Sequence, residues 1–358
     1  MLIGLTYDLR EEYLAQGFSA EETAEFDKIE TVEAIESALR QMGFATERIG
    51  NILSLNRELA LGKRWDLVFN ICEGLYGFAR EAQVPALLDA YKIPCTFSDP
   101  MVLGLALHKG LTKNVIRDQG IPTPDFAVVE RPEDALAVNL PFPLFAKPVA
   151  EGTSKGVSLV SRVNNREELE ASCKALLLKF NQPVLVETYL PGREFTIGII
   201  GTGADAIVLG AMEVLLNSKA ESGIYSYHNK ENYKELVEYR SACDPVAGRA
   251  KDVALASWRA IRGRDVGRVD IRVDKDGLPN FLEVNPLPGL HPVNSDLPIL
   301  ARLNQIDYQQ LLEMIMSSVL ARIGEMPLEA HKSRATRKAH ELQPLPLAMK
   351  VRKVRHMR

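Results

Sequence analysis

A chain of 358 residues is long enough for two or three domains of ordinary size. Its 46% hydrophobic and 25% charged residues are those of a soluble globular protein, and no apolar run is long enough to span a bilayer, which excludes a helical membrane protein. The net charge of −4 is unevenly spread: residues 331–358 carry nine Lys/Arg against Glu341 alone, leaving the body acidic. This tail, with Pro344 and Pro346, reads as a flexible, solvated extension; nucleic acid or an acidic membrane is the alternative partner. Cys72, Cys95, Cys173 and Cys243 show neither metal-like nor CxxC spacing, as expected of reduced thiols in a cytoplasmic protein.

Residues 1–104 alternate strand and helix. LIGLTY has no basic residues before it and reads as a first strand rather than a signal peptide. Ser19 with Glu22 forms a capping box that opens a helix, in which Val32, Ile35, Leu39 and Met42 recur at helical spacing up to Gly43. FATERI, WDLVFNI and IPCTF come next as strands, the pattern of a small doubly wound α/β domain. Ligands of such sheets collect at the carboxyl ends of strands, here Thr6, Tyr7, Asp8, Asn70, Glu73 and Gly74. Residues 105–184 read as a small α+β lid: a helix from His108 to Gln119, strands FAVVE, PLFAKPV, VSLVSRV and PVLVETY, the short helix RPEDALAV, and a helix opening near Asn164 or Asn165. Residues 185–326 are rich in strands. FTIGII and AIVLGAMEV pair across Gly-Thr-Gly, and a final helix lies near Asp307 to Arg322. Gly201-Thr202-Gly203 fits a dinucleotide fingerprint, but AIVLGAMEV is strand-like where that fingerprint needs a helix.

Within the third unit, GRVDIRVDKDGLPNFLEVN (267–285) alternates with period two, and Asp276-Gly277 signals a hairpin turn. Counting outward from that turn sets Asp270 opposite Glu283 and Arg268 opposite Asn285. Such a face offers two carboxylates and an amide oxygen, hard ligands suited to Mg²⁺ carrying phosphates; an exposed polar face with a surface salt bridge is the plainer alternative. The loop Glu151-Gly152-Thr153-Ser154-Lys155-Gly156 could converge N–H groups on a phosphate beside Lys147, and could equally be a glycine hairpin. Glu187 and Glu194 flank Pro191-Gly192, a turn that could hold a nucleoside or merely face solvent. Lys109 and Lys113 share a helix face. Lys230 lies in IYSYHNKENY, a loop long enough to be a lid. The six histidines form no ligand pair, and His291 beside the hairpin reads equally as structural or functional.

The order of these motifs resembles the ATP-grasp superfamily, and within it the D-alanine–D-alanine ligases, over about residues 60–322 and most specifically from Lys109 to Asn285. The resemblance implies a three-domain α/β (α+β) architecture: an N-terminal doubly wound domain, a small lid and a β-rich catalytic domain. It also implies an ATP-dependent carboxylate–amine ligase that joins two amino acids through an acyl phosphate, a homodimeric cytoplasmic enzyme of peptidoglycan precursor synthesis. Lys109 and Lys147 would contact the phosphates, with Glu151, Gly152, Thr153 and Ser154 closing over them and Lys230 on the γ-phosphate. Glu187 and the backbone through Leu190 would take adenine and Glu194 the ribose. Asp270, Glu283 and Asn285 would hold two Mg²⁺ (or Mn²⁺) ions, and Arg268 would steady the reacting carboxylate.

The sequence departs from the family where the amino acids would sit. Thr6-Tyr7-Asp8-Leu9-Arg10 stands for Gly-Gly-x-Ser-x-Glu, Asn70–Gly74 for the His-Gly segment, and Gly77–Glu81 for Gly-Glu-Asp-Gly. Glu73, Arg80 and Ser295 are the candidates for gripping the substrate ends. The competing expectations are a ligase for other amino acids or a specialised peptide, and an idle nucleotide-binding scaffold.

Overall fold

The computed structural model describes residues 1–217, 220, 233–325, 328 and 331; Lys230 and nearly all of the basic tail lie outside the described residues. The chain opens with β1 (Leu2–Tyr7), α1 (Arg10–Ala15), α2 (Ile29–Gln41), β2 (Ala45–Gly50), α3 (Ile52–Ala60), β3 (Leu67–Ile71) and α4 (Gln83–Ala90). The strands form a parallel sheet in the order β2-β1-β3. A parallel sheet must be covered on both faces. Val32, Ile35 and Leu39 of α2 cover Ile3 and Phe69, while Leu55 and Leu59 of α3 pack with Trp65 and Val68 on the other side.

Two local expectations fail here. Ser19 and Glu22 do make the reciprocal bonds of a capping box, at 2.8 and 3.2 Å, yet only turns come after it and no helix starts before Ile29. The residues in between are held from elsewhere: Asp27 N–H donates to Asp8 O at 3.1 Å, and Arg10 N–H to Asp27 O at 2.9 Å. IPCTF is no strand. Cys95 makes a lone bridge to Val68, after which Phe97 turns left-handed (φ 69°) and gives its N–H to Asp265 Oδ2 at 2.8 Å.

A helix that periodicity did not reveal, α5 (Pro100–Leu107), spans the expected boundary at residue 104. It is apolar nearly all round, so it shows no stripe. Its start is nevertheless well specified, because Asp99 caps Val102 N–H at 3.0 Å and Pro100 takes the first helical position. After α6 (Lys109–Asp118) come β4 (Phe126–Val129), β5 (Leu144–Pro148), β6 (Arg162–Val163), α7 (Arg166–Phe180) and β7 (Val184–Thr188). They form an antiparallel sheet in the order β4-β7-β5-β6. VSLVSRV contributes only the two residues of β6, because Leu159–Ser161 winds into a 3₁₀ turn. RPEDALAV is likewise 3₁₀ (Pro132–Ala137), and α7 opens on Asn165, whose side chain caps Glu168 N–H at 2.9 Å.

The last part holds β8 (Glu194–Ile200), β9 (Ile207–Leu216), the single-turn α8 (Tyr233–Leu236), β10 (Val237–Ser241), α9 (Pro245–Ala260), β11 (Val266–Val273), β12 (Pro279–Asn285), α10 (Asp296–Leu303) and α11 (Tyr308–Ile323). Its antiparallel sheet runs β10-β9-β8-β11-β12. Ala250, Ala254 and Trp258 of α9 cover one face together with Val102 of α5 and Ile116 of α6. Leu311, Ile315 and Met316 of α11 share a core with Ile3, Leu39 and Phe69, so the final helix closes the first sheet. Among the described residues no helix is long and apolar enough to cross a membrane.

Candidate active site

The β11–β12 hairpin floors the site. Its loop is not the two-residue turn that Asp276-Gly277 suggested. Asp274 N–H bonds Leu278 O at 2.9 Å and Gly277 N–H bonds Asp274 O at 3.2 Å, so residues 275–277 form a three-residue loop with Gly277 left-handed at φ 83°. That shifts the pairs next to the loop by one: Ile271 faces Phe281 and Arg272 faces Asn280. A bulge between Asp270 and Ile271, with Leu282 the extra residue, shifts them back, and Asp270 faces Glu283 and Arg268 faces Asn285 as expected. Asp270 is held by Arg268 on one oxygen and by Thr196 Oγ1 at 2.8 Å on the other. The Asn285 amide that satisfies both neighbours accepts from Arg268 Nη2 at 3.2 Å and donates to Leu287 O at 2.7 Å.

Above this floor lies a cleft walled by β5, β7 and the 151–155 loop. Lys109, at the start of α6, approaches Glu283 Oε2 at 3.4 Å and donates to Glu151 O; Lys147 on β5 stands 3.9 Å from the same Glu283 oxygen. Lys147 also pairs with Glu187 Oε1 at 3.0 Å. Burial alone would lower the Lys147 ammonium, but Glu187 and Glu283 outweigh it and hold it above its ordinary value. Lys113 is different. It is fully buried against Glu187 Oε2 (2.9 Å), Thr123 Oγ1 (3.0 Å) and Phe281 O (3.3 Å), and burial brings its ammonium down to about 8 despite Glu187. The two lysines share a helix face, but only Lys109 lines the cleft. Burial would raise the Glu187 carboxyl, yet Lys113 and Lys147 together keep it below the usual range. At this inner end Tyr189 and Leu190 also line the wall, and Arg272 binds Glu194 Oε2 at 2.8 Å.

The 151–156 loop is strained: Thr153 and Ser154 are both left-handed (φ 51° and 56°), a conformation costly for residues with a Cβ. It is held from far away. Glu25 accepts Gly152 N–H at 2.7 Å and pairs with Lys155 Nζ at 3.3 Å and Arg80 Nη2 at 3.2 Å, while Lys155 also pairs with Glu151 at 2.6 Å. Arg80, expected to grip a substrate end, is instead spent on Glu25 and on Ala150 O at 3.0 Å, and does not line the cleft.

A second chamber adjoins the first through Arg268, Asn285, Glu81 and Gly152. Glu73, Ser295 and His291 line it. Ser295 Oγ accepts His291 N–H at 3.0 Å, and His291 Nδ1 accepts the N–H groups of Val293 and Asn294 at 3.2 Å each, so both shape the loop before α10. Of the β-strand carboxyl ends, Thr6 and Asn70 are bonded to each other at 2.9 Å and buried, and Asp8 is taken by Tyr13 Oη at 2.6 Å and Gly74 N–H at 3.0 Å. Glu73 therefore reaches the chamber while the residues before it do not. Burial and neighbouring acids push Glu73 well above the carboxylate range, and burial pushes both Asp27 and Glu81 up to about 7. Sequence reasoning passed over Glu25 and Asp27. They sit in an irregular segment, and only their distant partners distinguish them.

Comparison with known proteins shows the family and the fold to which this site belongs. Residues 115–317 match the family described as D-ala D-ala ligase C-terminus. The chain is 34% identical to an uncharacterized protein of Sinorhizobium fredii over 64% of this chain and 68% of that one. It is 31% identical to a D-alanine–D-alanine ligase of Aquifex aeolicus over 81% of this chain and 94% of the relative. Its fold is similar to the crystal structure of a Bacillus anthracis D-alanine–D-alanine ligase complexed with ATP, with a TM-score of 0.67 and 23% identity, covering 93% of this chain and 99% of the other. The hairpin, Lys147 and the glycine loop lie within the matched residues 115–317, and the chain is a member of the D-alanine–D-alanine ligase family.

Proposed function

We propose that the chain is an ATP-dependent carboxylate–amine ligase, with D-alanyl-D-alanine formation the first reaction to test. The observation that carries this reading is the hairpin register, which sets Arg268, Asp270, Glu283 and Asn285 on one face where the two chambers meet. In this reading the cleft takes the nucleotide. Lys109 and Lys147 contact its phosphates and residues 151–154 close over them, with Glu187 and Leu190 at the base and Glu194 at the ribose. Two carboxylates and an amide oxygen on paired strands fit Mg²⁺, and Asp270, Glu283 and Asn285 would hold it; when bound, the metal neutralises charge on the phosphates.

Arg268 orients the substrate carboxylate from the second chamber. One oxygen of that carboxylate attacks the γ-phosphorus, and ADP leaves. The amine of the second substrate then attacks the acyl carbon, inorganic phosphate leaves, and the nitrogen gives up a proton. Such chemistry needs positioning and charge stabilisation rather than a side-chain nucleophile. Purified protein given ATP, Mg²⁺ and D-alanine should release ADP, and Asp270→Asn should lower that turnover about a hundredfold. Unchanged turnover in the variant would remove the reading. We extend the proposal to a homodimer, which sedimentation would test.

A further inference from the structure

We propose that Arg10 is a substrate-binding residue of the second chamber, where its guanidinium receives a carboxylate that ligation leaves intact. This rests on the ligase reading and adds a specificity-determining residue to it. The chamber spans about 520 Å³, within the range of small-molecule sites.

Joining two amino acids consumes one carboxylate and keeps another, which enters with the substrate that supplies the amine. A carboxylate taken out of water is costly unless a cation meets it. Arg268 is already committed. Asp270, Asp296 and Asn285 hold it, and in the ligase reading it faces the reacting carboxylate. The other cations among the described residues of the chamber wall are Arg10 and Lys28. Lys28 is exposed to solvent, whereas Arg10 is half-buried.

Arg10 is well anchored and poorly satisfied. Its backbone N–H donates to Asp27 O at 2.9 Å and Leu9 bridges to Asp27, which fixes Arg10 against a segment of the same wall. Within its guanidinium only Nη2 has an acceptor among the described residues, Ala20 O at 3.1 Å. Its Nε is buried and donates to nothing, and no described carboxylate lies within 4 Å of the group. Leaving a charged donor unfilled is costly, and an arriving carboxylate relieves that cost because the planar fork suits its oxygens. Acids on the same wall do not cancel Arg10. Glu25 is matched by Arg80 and Lys155, and Glu235 is exposed to solvent. Burial pushes Asp27 and Glu81 up to about 7 and Glu73 well above the carboxylate range, so near neutral pH these three keep much of their protons.

Two sources fit this carboxylate: the α-carboxylate of the amine-donating substrate, and an acidic side chain on either substrate. The test measures ligation by the full-length protein with ATP and Mg²⁺, wild type against Arg10→Ala and Arg10→Lys, reading ADP and the mass of the product. D- and L-alanine are offered alone, in competition with the matching alaninamide, and paired with D- and L-aspartate or glutamate. Wild type should favour the acid over its amide, or the acidic amino acid over alanine, by about tenfold or more, the worth of one charge-assisted hydrogen bond. Arg10→Ala should erase that preference through KM, and Arg10→Lys should restore part of it, with ADP affinity by calorimetry reporting that both variants are folded. Loss of the acid-over-amide preference assigns the α-carboxylate; loss confined to aspartate and glutamate assigns the side chain. Neither preference in the wild type, a preference unchanged in Arg10→Ala, or a uniform fall on every acceptor would overturn this inference and leave the ligase reading standing. Nucleotide binding without ADP release on any amino acid would overturn the ligase reading itself.

Discussion

Asp27 shows how much a single position can depend on surroundings it does not choose. In an unfolded chain its carboxyl loses its proton near 3.8; in the fold, burial carries it up to about 7, opposed by a hydrogen bond with Thr31 and helped by the neighbouring Asp8. Between about pH 4 and 7 the unfolded chain has therefore given up a proton that the folded chain keeps, so raising the pH across that window favours unfolding. Glu81, raised from 4.5 to about 7, acts in the same direction. Carboxylates held low, such as Glu187 and Glu25, act oppositely and only below their unfolded values near 4.5. Thermal midpoints measured from pH 5 to 8 should fall as pH rises and level off above 7, and Asp27→Asn should flatten the slope. At Gly152 the constraint is steric. A Cβ there would collide with the Glu25 carboxylate, so Gly152→Ala should break the loop's anchor and speed amide exchange over residues 151–156.

Among elements, α6 and the hairpin meet through Lys113. Its ammonium joins Glu187 of β7 to the Phe281 carbonyl of β12, and both ends of the pair are out of water. Removing one partner of a buried pair leaves the other uncompensated. Lys147 remains beside Glu187 and softens the loss. Lys113→Met should destabilise the protein by about 3 kcal/mol in urea unfolding, and adding Glu187→Gln should recover part of that, because no lone charge is then left behind. In the hairpin itself, alternation of polar and apolar residues pinned Asp270 against Glu283, although the loop was one residue longer than the Asp-Gly signal implies. With β11 fixed against β8, slippage of β12 by one would turn Glu283 and Asn285 toward the core, a cost that the compensating bulge at Leu282 avoids.

Across the whole molecule, Asp265 is the knot. It has no exposed surface and adopts φ 63°, accepts Phe97 N–H at 2.8 Å, and pairs with Arg322 Nη2 at 2.7 Å, tying the end of the first sheet's unit to β11 and α11. Asp265→Ala should cost about 3–5 kcal/mol, read as a lowered urea midpoint, because Arg322 and a buried amide lose their acceptor together. Glu25 works over a similar span, joining the segment before α2 to the 151–156 loop and thereby the second chamber to the cleft. Glu25→Gln should leave global stability less affected than Asp265→Ala while weakening nucleotide binding, checked by ADP calorimetry beside the urea curve.

Composition, the alternating strands, the capped helix at Asn165 and the ordered motifs from Lys109 to Asn285 were decided by the sequence alone, because each depends on neighbours a few residues away or on a spacing that chemistry demands. Periodicity misled where local order was overruled. The Ser19–Glu22 box formed without its helix, VSLVSRV curled into a 3₁₀ turn, and α5 hid in a uniformly apolar run. Glu25, Asp27 and Glu81, the division of labour between Lys109 and Lys113, and the diversion of Arg80 were decided only by tertiary structure. Their roles arise from contacts across many tens of residues, where burial and the charge of a distant partner, not adjacent sequence, set what a side chain can do.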